Sequence, residues 1–212
     1  MRVINLSEGA SVSQEALDGQ SLYSKSLLRV YDFGVNVVSN SLIWKCPSEN
    51  LVKHYDKNVT DGHLDVGPGS GYYLDKCNFP TVFPEISLMD LNENPLQFTR
   101  ERLGYIRDVF AYKANVLSAI NLDKKFKSIG LNYVLHCLPG NMDDKSVVFR
   151  NLKPLLDDDG VLFGSTILYD LAEKIPLAKC LADFYNKKRV FTNKEDTLNG
   201  LEKALRESFD DF

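Results

Sequence analysis

The chain has 212 residues, of which 44% are hydrophobic and 25% charged, and its formal net charge is −4. This composition is typical of one soluble globular domain with a single core, and the acidic balance argues against a nucleic-acid partner. The four cysteines and three histidines show no metal-binding spacing, and no apolar stretch is long enough for a signal peptide or a membrane span. We therefore expect a reduced, cytoplasmic protein that binds neither a metal nor a membrane.

The first quarter of the chain divides into an arm and a helical segment. Residues 1–20 are polar and weakly patterned, which predicts a mobile arm or a marginal helix. From residue 21 onward, apolar side chains recur at helical spacing, and a second short helix covers residues 49–55. We expect residues 21–212 to form a single domain, with a helical cap over residues 21–56 and an α/β core over residues 57–212.

The cap is rich in aromatic residues, which include Tyr23, Tyr31 and Trp44. Most aromatic side chains pack into a core, so one interpretation is that these three pack against the sheet. The other interpretation is that the cap closes over a bound ligand and that the same side chains line a substrate pocket. Both interpretations can hold, because different parts of one face can serve each purpose.

The core opens with a buried strand, a glycine-rich turn and a helix over residues 63–72. Glycines at 67, 69 and 71 carry no Cβ that would obstruct a ligand on the turn, and the following helix offers free N–H groups. A dinucleotide fingerprint requires its third glycine at position 72, where Tyr72 stands, so an NAD site is disfavoured. A turn that merely lets the helix pack on the strand is the alternative.

Acidic residues stand at the ends of two successive predicted strands. Asp65 lies just before the glycine turn, where it would repel a pyrophosphate and attract a cationic amino-acid ligand. The second strand, residues 85–90, ends in Asp90, roughly 20 residues past the glycines, where a carboxylate can accept hydrogen bonds from both ribose hydroxyls. Asp90 could instead cap the next helix, but Asn94 and Pro95 already supply a cap and a first-turn proline.

The D-x-G-x-G-x-G pattern from Asp65 to Gly71, with Asp90-Leu91-Asn92 after the second strand, resembles motifs I and II of the class I S-adenosylmethionine (SAM)-dependent methyltransferases. The resemblance implies SAM as the cofactor, with Asp65 near its ammonium group, the glycine turn along its methionine part and Asp90 on its ribose. The residues implied to bind the cofactor are Asp65, Gly67, Pro68, Gly69, Gly71, Asp90, Leu91, Asn115, Val116 and Asn132.

Two later strand ends carry further candidate residues. A strand within residues 109–117 ends at Asn115, which the resemblance places on the adenine amino group, although asparagine is also a common turn residue. Residues 126–140 form the fourth strand and its exit, resembling motif IV, and bring Asn132 and His136 to the carboxyl edge of the sheet. His136 is placed to act as a general base on an acceptor hydroxyl or amine, unless it is a packed histidine.

The last third of the chain predicts a helix over residues 141–156, a fifth strand over residues 161–168, a helix from Pro176 and a final helix capped by Asn193. Strands alternating with helices predict an α/β fold, a Rossmann-like, doubly wound and mainly parallel sheet with helices on both faces. Family members normally add two more strands. We therefore expect a truncated form, or a sheet edge covered by the N-terminal arm or by a second subunit, which leaves a homodimer open.

The function predicted from this resemblance is in-line methyl transfer from SAM to a small-molecule acceptor, with most of the rate supplied by positioning and desolvation. One alternative is a methyltransferase acting on RNA or protein, although the chain has no basic stripe to bind RNA. The other is a non-catalytic or partner-dependent subunit with the same fold. The acceptor and the atom that is methylated stay open.

Overall fold

The structure, a computed structural model, describes residues 3–6, 39–106 and 108–211. In chain order, its strands are β1 (Ile4–Asn5), β2 (Gly62–Val66), β3 (Glu85–Asp90), β4 (Asp108–Lys113), β5 (Phe126–Asn132) and β6 (Leu156–Ser165). Its α-helices are α1 (Ser48–Asn58), α2 (Tyr72–Lys76), α3 (Glu93–Arg102), α4 (Met142–Lys145), α5 (Val147–Leu152), α6 (Tyr169–Ala172), α7 (Pro176–Lys187) and α8 (Leu198–Ser208). Short 3-10 helices cover Leu135–Cys137 and Lys153–Leu155.

The six strands form one sheet in the order β1-β4-β3-β2-β5-β6, and every neighbouring pair is parallel. The order reverses next to β2, so β2 and its neighbours end at the point where open α/β sheets bind ligands. Helices cover both faces, because parallel strands are connected by crossovers that pack back on the sheet. The predicted Rossmann-like parallel sheet is confirmed.

Two apolar clusters divide the core between the faces of the sheet. Strand β3 supplies both: Ile86 and Leu88 belong to the cluster that contains Leu96 of α3, whereas Met89 belongs to the cluster that contains Leu152 of α5. All five side chains are fully buried. Burial on both faces explains why β3 appears in the sequence as a continuous apolar run rather than an alternating one.

The N-terminal arm and the sheet edges differ from the prediction. The arm prediction over residues 1–20 is wrong at Ile4 and Asn5, which form β1 and pair with Tyr112 and Lys113 of β4. Ile4 and Asn5 therefore extend the edge of the sheet opposite to β6. Residues 1–2 and 7–20 of the predicted arm lie outside the described residues. Among the described residues, β6 is the last strand in the chain and forms the other edge itself.

Several boundaries in the second half of the chain also differ. The predicted helix over residues 141–156 is two α-helices and a 3-10 turn, since Pro154 has no N–H to continue the helix. Leu156 already pairs with Phe126, so β6 includes the predicted acidic turn and ends at Ser165. Strand β4 ends at Lys113, before the predicted end at residue 117.

Two asparagine predictions at helix starts are corrected by the hydrogen bonds. The N-cap of α3 is Asn92, which accepts the N–H of Asn94, rather than Asn94 itself. Thr197 caps α8 by accepting the N–H of Gly200. Asn193, predicted as that cap, is fully buried and donates to the Ile167 carbonyl, so it ties the α7–α8 connection to the chain after β6.

Candidate active site

Two adjoining cavities open at the carboxyl edge of the sheet, on either side of the glycine turn. The first is bounded by the ends of β2, β3 and β4 and by the exit from β5, and its lining residues include Met89, Asp90, Leu91, Asn115, Val116, Leu117, Val134 and Leu138. The second lies between β2, β5, α1 and α2, and its lining residues include Tyr55, Asp65, Pro68, Ser70, Tyr72, Tyr73 and Asn132. Gly67, Gly69 and Tyr133 line both cavities, so the two meet at the turn.

The turn requires glycine for two separate reasons. Gly67 and Gly71 have φ values of +65° and +72°, in the left-handed region that side chains disfavour. A Cβ at Gly67 would also lie 2.5 Å from Val134 Cγ2, and one at Gly71 would lie 2.7 Å from Thr99 Cγ2. The close approach of β5's exit and of α3 therefore leaves no room for side chains at these positions. Gly71, predicted to bind the cofactor, does not line either cavity and instead precedes α2.

Hydrogen bonds to strand β3 and helix α3 hold the glycine turn in place. The Gly67 N–H donates to the Met89 carbonyl of β3 over 2.8 Å. Helix α3 adds two side chains, since Arg102 Nη1 donates to the Ser70 carbonyl at 2.9 Å and Thr99 Oγ1 to the Gly69 carbonyl at 3.3 Å. A turn fixed in this way presents the same cavity surface before and after a ligand binds, which reduces the ordering cost of binding.

The first cavity contains the predicted nucleoside-binding residues. Asp90 stands at the end of β3 and accepts the Asn92 N–H at 2.8 Å. Burial raises the pKa of Asp90 to about 7, and the N–H groups of Asn92 and Leu91 oppose that rise. Asn115 also lines this cavity, and its Oδ1 accepts the Leu117 N–H at 3.0 Å. The turn interpretation of Asn115 is thus confirmed, and its contact with the adenine amino group stays a prediction.

The second cavity is built around a buried carboxylate. Asp65 is only 2% exposed, and its Oδ2 accepts the Tyr55 hydroxyl at 2.8 Å and lies 3.5 Å from His63 Nε2. Burial, reinforced by the negative charge of Asp65, raises the pKa of Tyr55 well above its usual value, so Tyr55 stays a donor. The Tyr55 ring stacks on Tyr73 with centroids 5.5 Å apart. This cavity thus combines one negative charge with aromatic walls.

Comparison with known proteins gives a consistent result. The methyltransferase-domain family matches residues 64–162. Demethylluteothin O-methyltransferase from Streptomyces thioluteus is 34% identical over 202 residues, which span 95% of this chain and 87% of that relative. Methyltransferase ctvB from Aspergillus terreus is 37% identical over 203 residues, which span 93% of this chain and 89% of ctvB. The solved structure of a putative methyltransferase from Bacillus halodurans C-125 has the same fold, with a TM-score of 0.55 at 15% identity over 79% of this chain and 68% of that one.

The chain is a class I SAM-dependent methyltransferase. It is an enzyme with SAM as its cofactor, as the sequence predicted. The residues present fit this cofactor. The acid at the end of β3 and the apolar walls of the first cavity suit a nucleoside, and the Asp65 carboxylate of the second suits an amino acid's ammonium group.

The cap meets this methyltransferase's second cavity through Asn40, a residue that the sequence analysis missed. Asn40 is fully buried, and its Nδ2 donates to Ser48 Oγ at 2.9 Å and to the Tyr73 hydroxyl at 3.2 Å. The Tyr133 hydroxyl donates to Asn40 Oδ1 at 3.2 Å. One amide therefore positions two cavity-lining tyrosines. Nothing in the local sequence distinguishes Asn40, because its partners lie 33 and 93 positions further along the chain.

Tyr133, the residue after β5, has a strained backbone conformation. Its φ of +56° is in the left-handed region, which a bulky residue adopts only when its surroundings force it to. The Tyr133 N–H is held by the Ser165 carbonyl at 2.8 Å, and its hydroxyl by Asn40. This left-handed conformation turns the chain at the end of β5, and Tyr133 lines both cavities.

Of the three aromatic residues predicted for the substrate pocket, only Trp44 belongs to the described residues. The predictions for Tyr23 and Tyr31 lie outside them. Trp44 packs against the small side chains Ala172, Ala178 and Ala182 of α6 and α7, and it is not among the described lining residues. The tyrosines at the second cavity are instead Tyr55, Tyr72, Tyr73 and Tyr133. Tyr72 and Tyr73 directly follow the glycine turn, a position from which they could have been predicted.

His136 of the methyltransferase lies in the 3-10 turn after β5 and is 3% exposed. Its Nδ1 accepts the Ile167 N–H at 3.2 Å and lies 3.2 Å from Thr166 Oγ1, so a neutral ring carries its proton on Nε2. Burial, aided by the positive charge of Lys145, lowers the pKa of His136 to about 3. A ring in this state is a weak proton acceptor near neutral pH. The catalytic role of His136 stays a prediction, and its contacts favour a positioning role.

A buried ion pair fixes the surroundings of His136. Lys145 Nζ lies 2.6 Å from Asp196 Oδ2, and both side chains are completely buried. Lys145 Nζ also donates to the Thr192 carbonyl at 2.9 Å, while the Thr192 N–H donates to the His136 carbonyl at 2.9 Å. The ion pair therefore connects α4 to residues 192–196, the segment before α8, and Thr192 of that segment connects to the backbone of His136.

Replacing His136 with asparagine is expected to make folding less sensitive to acid. The pKa of about 3 lies below the ordinary 6.5, so the unfolded chain binds a proton that the folded chain does not. Stability present above pH 6.5 is lost as the pH falls, by on the order of 3 kcal/mol between pH 7 and pH 4. Asparagine Oδ1 can accept the Ile167 N–H without titrating. Urea unfolding at both pH values measures the difference. His54→Asn is the comparison variant and should have a smaller effect, because burial also lowers the pKa of His54 but its ring is partly exposed. An equal acid loss in wild type and His136→Asn would contradict the prediction.

Within the described residues, no three His, Cys, Asp or Glu side chains are grouped so that they could hold a metal ion. In the same part of the chain, no helix has the length and apolar character needed to cross a membrane.

Proposed function

We propose that the methyltransferase forms a methyl ether on a hydroxyl oxygen of a small, largely apolar acceptor. The observation that carries the proposal is the junction of the two cavities at Gly67, Gly69 and Tyr133, which provides one place where a cofactor's reactive centre and an acceptor can meet. Identity of 34% with a relative named as an O-methyltransferase, along 95% of this chain, supports oxygen as the acceptor atom.

The residues of this chain have separable tasks in the proposal. SAM supplies an activated methyl group on a positively charged sulfur. Asp90 accepts hydrogen bonds from the ribose hydroxyls, with Leu91, Asn115 and Val116 along the nucleoside. Asp65 balances the ammonium charge, and Tyr133 places its ring at the junction, where an aromatic face favours a positive charge. The chain therefore works mainly by orienting groups and excluding water.

Two further points of this proposal concern partners and location. The net charge of −4 supports a small molecule over a nucleic acid, because a phosphate backbone would be repelled. Four cysteines without a disulfide support a reducing compartment, the cytoplasm. No described strand pairs with the outer edge of β6, which supports a homodimer formed through this edge.

The test is methyl transfer from ¹³C-methyl SAM to matched acceptors that differ only in the reacting atom, such as 1-naphthol, 1-naphthylamine and 1-naphthalenethiol, within a wider panel of phenols and enols. Mass spectrometry detects the added methyl group, and NMR identifies the atom that carries it. We expect methyl ethers, and no product from the Asp90→Ala variant. Methylation confined to amines, or to added RNA or protein, would contradict the proposal.

A further inference from the structure

One buried amide nitrogen at the second cavity lacks a full set of hydrogen-bond partners among the described residues. It is Nδ2 of Asn132, the last residue of β5, whose side chain is 6% exposed and lines the cavity. A buried donor left without a partner costs about 1–3 kcal/mol, so such atoms are rare in folded proteins. Here the missing partner lies on the side of a ligand cavity, which indicates that a ligand atom completes the bond.

The orientation of this amide is determined by its neighbours. Ser165 Oγ donates to Asn132 Oδ1 over 2.7 Å, and Ser165 is the register partner of Asn132 on β6. On the other side is the Tyr55 hydroxyl, which already donates to Asp65 and therefore presents only lone pairs. The Asn132 amide donates to this oxygen, and that hydrogen bond lowers the pKa of Tyr55, opposing the effect of burial. One of the two N–H groups of Nδ2 therefore faces Tyr55, and the other is left for the cavity. Nδ2 is thus the half of the amide that faces the cavity.

The strand register places Asn132 at the level of the reaction rather than at the ammonium end. Asp65 pairs with Gly130, so Asn132 lies two residues, or about 7 Å, further toward the carboxyl edge. That level corresponds to Gly67, which lines both cavities. Asn132 is also adjacent in the chain to Tyr133, the other residue at the junction. A donor at this level faces the junction, where the proposed function places the acceptor.

Electrostatics favour a neutral acceptor oxygen over an anionic one. The Asp65 carboxylate lines the same cavity, so an acceptor that carried a full negative charge would be repelled there. A hydroxyl enters without that cost, and a donor near its oxygen stabilises the partial negative charge that develops as the proton leaves. In the balanced step, the oxygen forms a bond to the methyl carbon, the C–S electron pair stays on sulfur, and the hydroxyl proton passes to water.

We propose that the Asn132 amide, held by Ser165, is the hydrogen-bond donor that orients the hydroxyl oxygen of the methyl acceptor. This inference rests on the proposed function and assigns it an acceptor-binding group. It also revises the expectation that Asn132 binds the cofactor. The donor takes over part of the work of a general base, because it makes the hydroxyl more acidic at the junction. It explains how transfer can proceed beside a histidine, His136, whose Nδ1 is already engaged.

The direct test observes the amide itself. The side-chain amide signals of ¹⁵N-asparagine-labelled protein are recorded by NMR, and the Asn132 signal is identified by its loss in Asn132→Asp. S-adenosylhomocysteine is added first, then 1-naphthol, and 5′-methylthioadenosine, which lacks the amino-acid part, is added in a parallel sample. We expect the Asn132 signal to move on addition of 1-naphthol to the complex. Movement with S-adenosylhomocysteine but not with 5′-methylthioadenosine would assign the amide to the cofactor carboxylate and overturn the proposal, as would no movement at all.

Kinetics provide a second readout with the acceptor found in the panel. Asn132→Asp is expected to lower kcat about 100-fold while the Kd for S-adenosylhomocysteine changes less than about twofold. Ser165→Ala removes the hydrogen bond that orients the Asn132 amide and is expected to raise the acceptor KM. This variant should fold even if Asn132→Asp does not. Asn199→Asp, on the exposed face of α8, is the matched control. Unchanged kinetics in both variants would contradict the inference, whereas failure of the wild type to bind S-adenosylhomocysteine would contradict the proposed function instead.

Discussion

Asp90→Asn is expected to weaken the binding of S-adenosylhomocysteine about 30-fold or more. The carboxylate at the end of β3 is the acid of the nucleoside cavity, and each hydrogen bond to a charged group contributes about 1.5–3 kcal/mol. The amide keeps the size of the side chain but offers only one accepting oxygen, so one neutral bond of about 1 kcal/mol replaces two charge-assisted bonds. Calorimetric titration measures the effect. Glu93→Gln is the matched control, because Glu93 lies three residues away in an exposed ion pair with Lys113.

The same residue gives this binding a defined pH dependence. Burial raises the pKa of Asp90 to about 7, and only the ionised carboxylate accepts both ribose hydroxyls. Affinity should therefore fall as the pH falls below 7, approaching tenfold per pH unit, and Asp90→Asn should lack this dependence. Retention of the pH profile in the variant would assign the profile to another group and contradict this role for Asp90.

The contribution of Asp90 to the free energy of unfolding of the ligand-free protein should have the opposite pH dependence to ligand affinity, and it should decrease as the pH rises. A carboxyl whose folded pKa is raised binds its proton more tightly when folded, so its charge costs stability that increases from about pH 4 to pH 7. Asp90→Asn removes that cost and should stabilise the protein by about 2 kcal/mol above pH 7, roughly half of what the full shift would give because the group is partly exposed. Below pH 4 the two proteins should unfold alike.

Gly67→Ala is expected to destabilise the protein by about 3 kcal/mol and to abolish cofactor binding. The left-handed φ of +65° costs a side chain about 1–2 kcal/mol, and a Cβ 2.5 Å from Val134 Cγ2 adds a steric cost of about 1–3 kcal/mol. Relief requires the turn to move away from β5, which displaces the surface shared by both cavities. Urea unfolding and calorimetry with S-adenosylhomocysteine measure the two effects.

Two variants separate the steric cost from the backbone cost. Gly69 has a similar φ of +57°, but no heavy atom lies within 4 Å of a Cβ built there, so Gly69→Ala should lose only the backbone part, about 1–2 kcal/mol. Adding Val134→Ala to Gly67→Ala removes the clashing methyl group and should recover part of the stability, with a coupling of about 1–2 kcal/mol. Equal losses in Gly67→Ala and Gly69→Ala, with no coupling to Val134, would show that the clash does not matter.

The elements that the sequence predicted best are those with strong local patterns. Strand β3 was predicted at residues 85–90 and lies at Glu85–Asp90, because a strand buried on both faces must be apolar throughout. The glycine turn was recognisable because its geometry excludes side chains at fixed spacing. Strand β1 was missed, since two residues carry no pattern and Ile4–Asn5 is a strand only through its pairing with β4.

The location of the site was also predictable from local patterns, but the pairing of its polar groups was not. Of the residues implied to bind the cofactor, all except Gly71 line one of the two cavities, because the ends of neighbouring parallel strands necessarily meet at one edge. Whether each of them contacts the cofactor stays a prediction. The state of His136 was not predictable, because it depends on the Ile167 N–H, 31 positions away.

The sequence by itself determined the fold class, the cofactor and the strand ends at which the chemistry occurs. These depend on residues close together in the chain, whose apolar runs and glycines constrain the backbone directly. Only the tertiary structure decided which polar groups are paired. Asn40 became the link between Tyr73 and Tyr133, and Asn132 became a half-satisfied amide at the junction, through contacts between segments far apart in the chain. Such pairings follow from strand order and register, which no local pattern encodes.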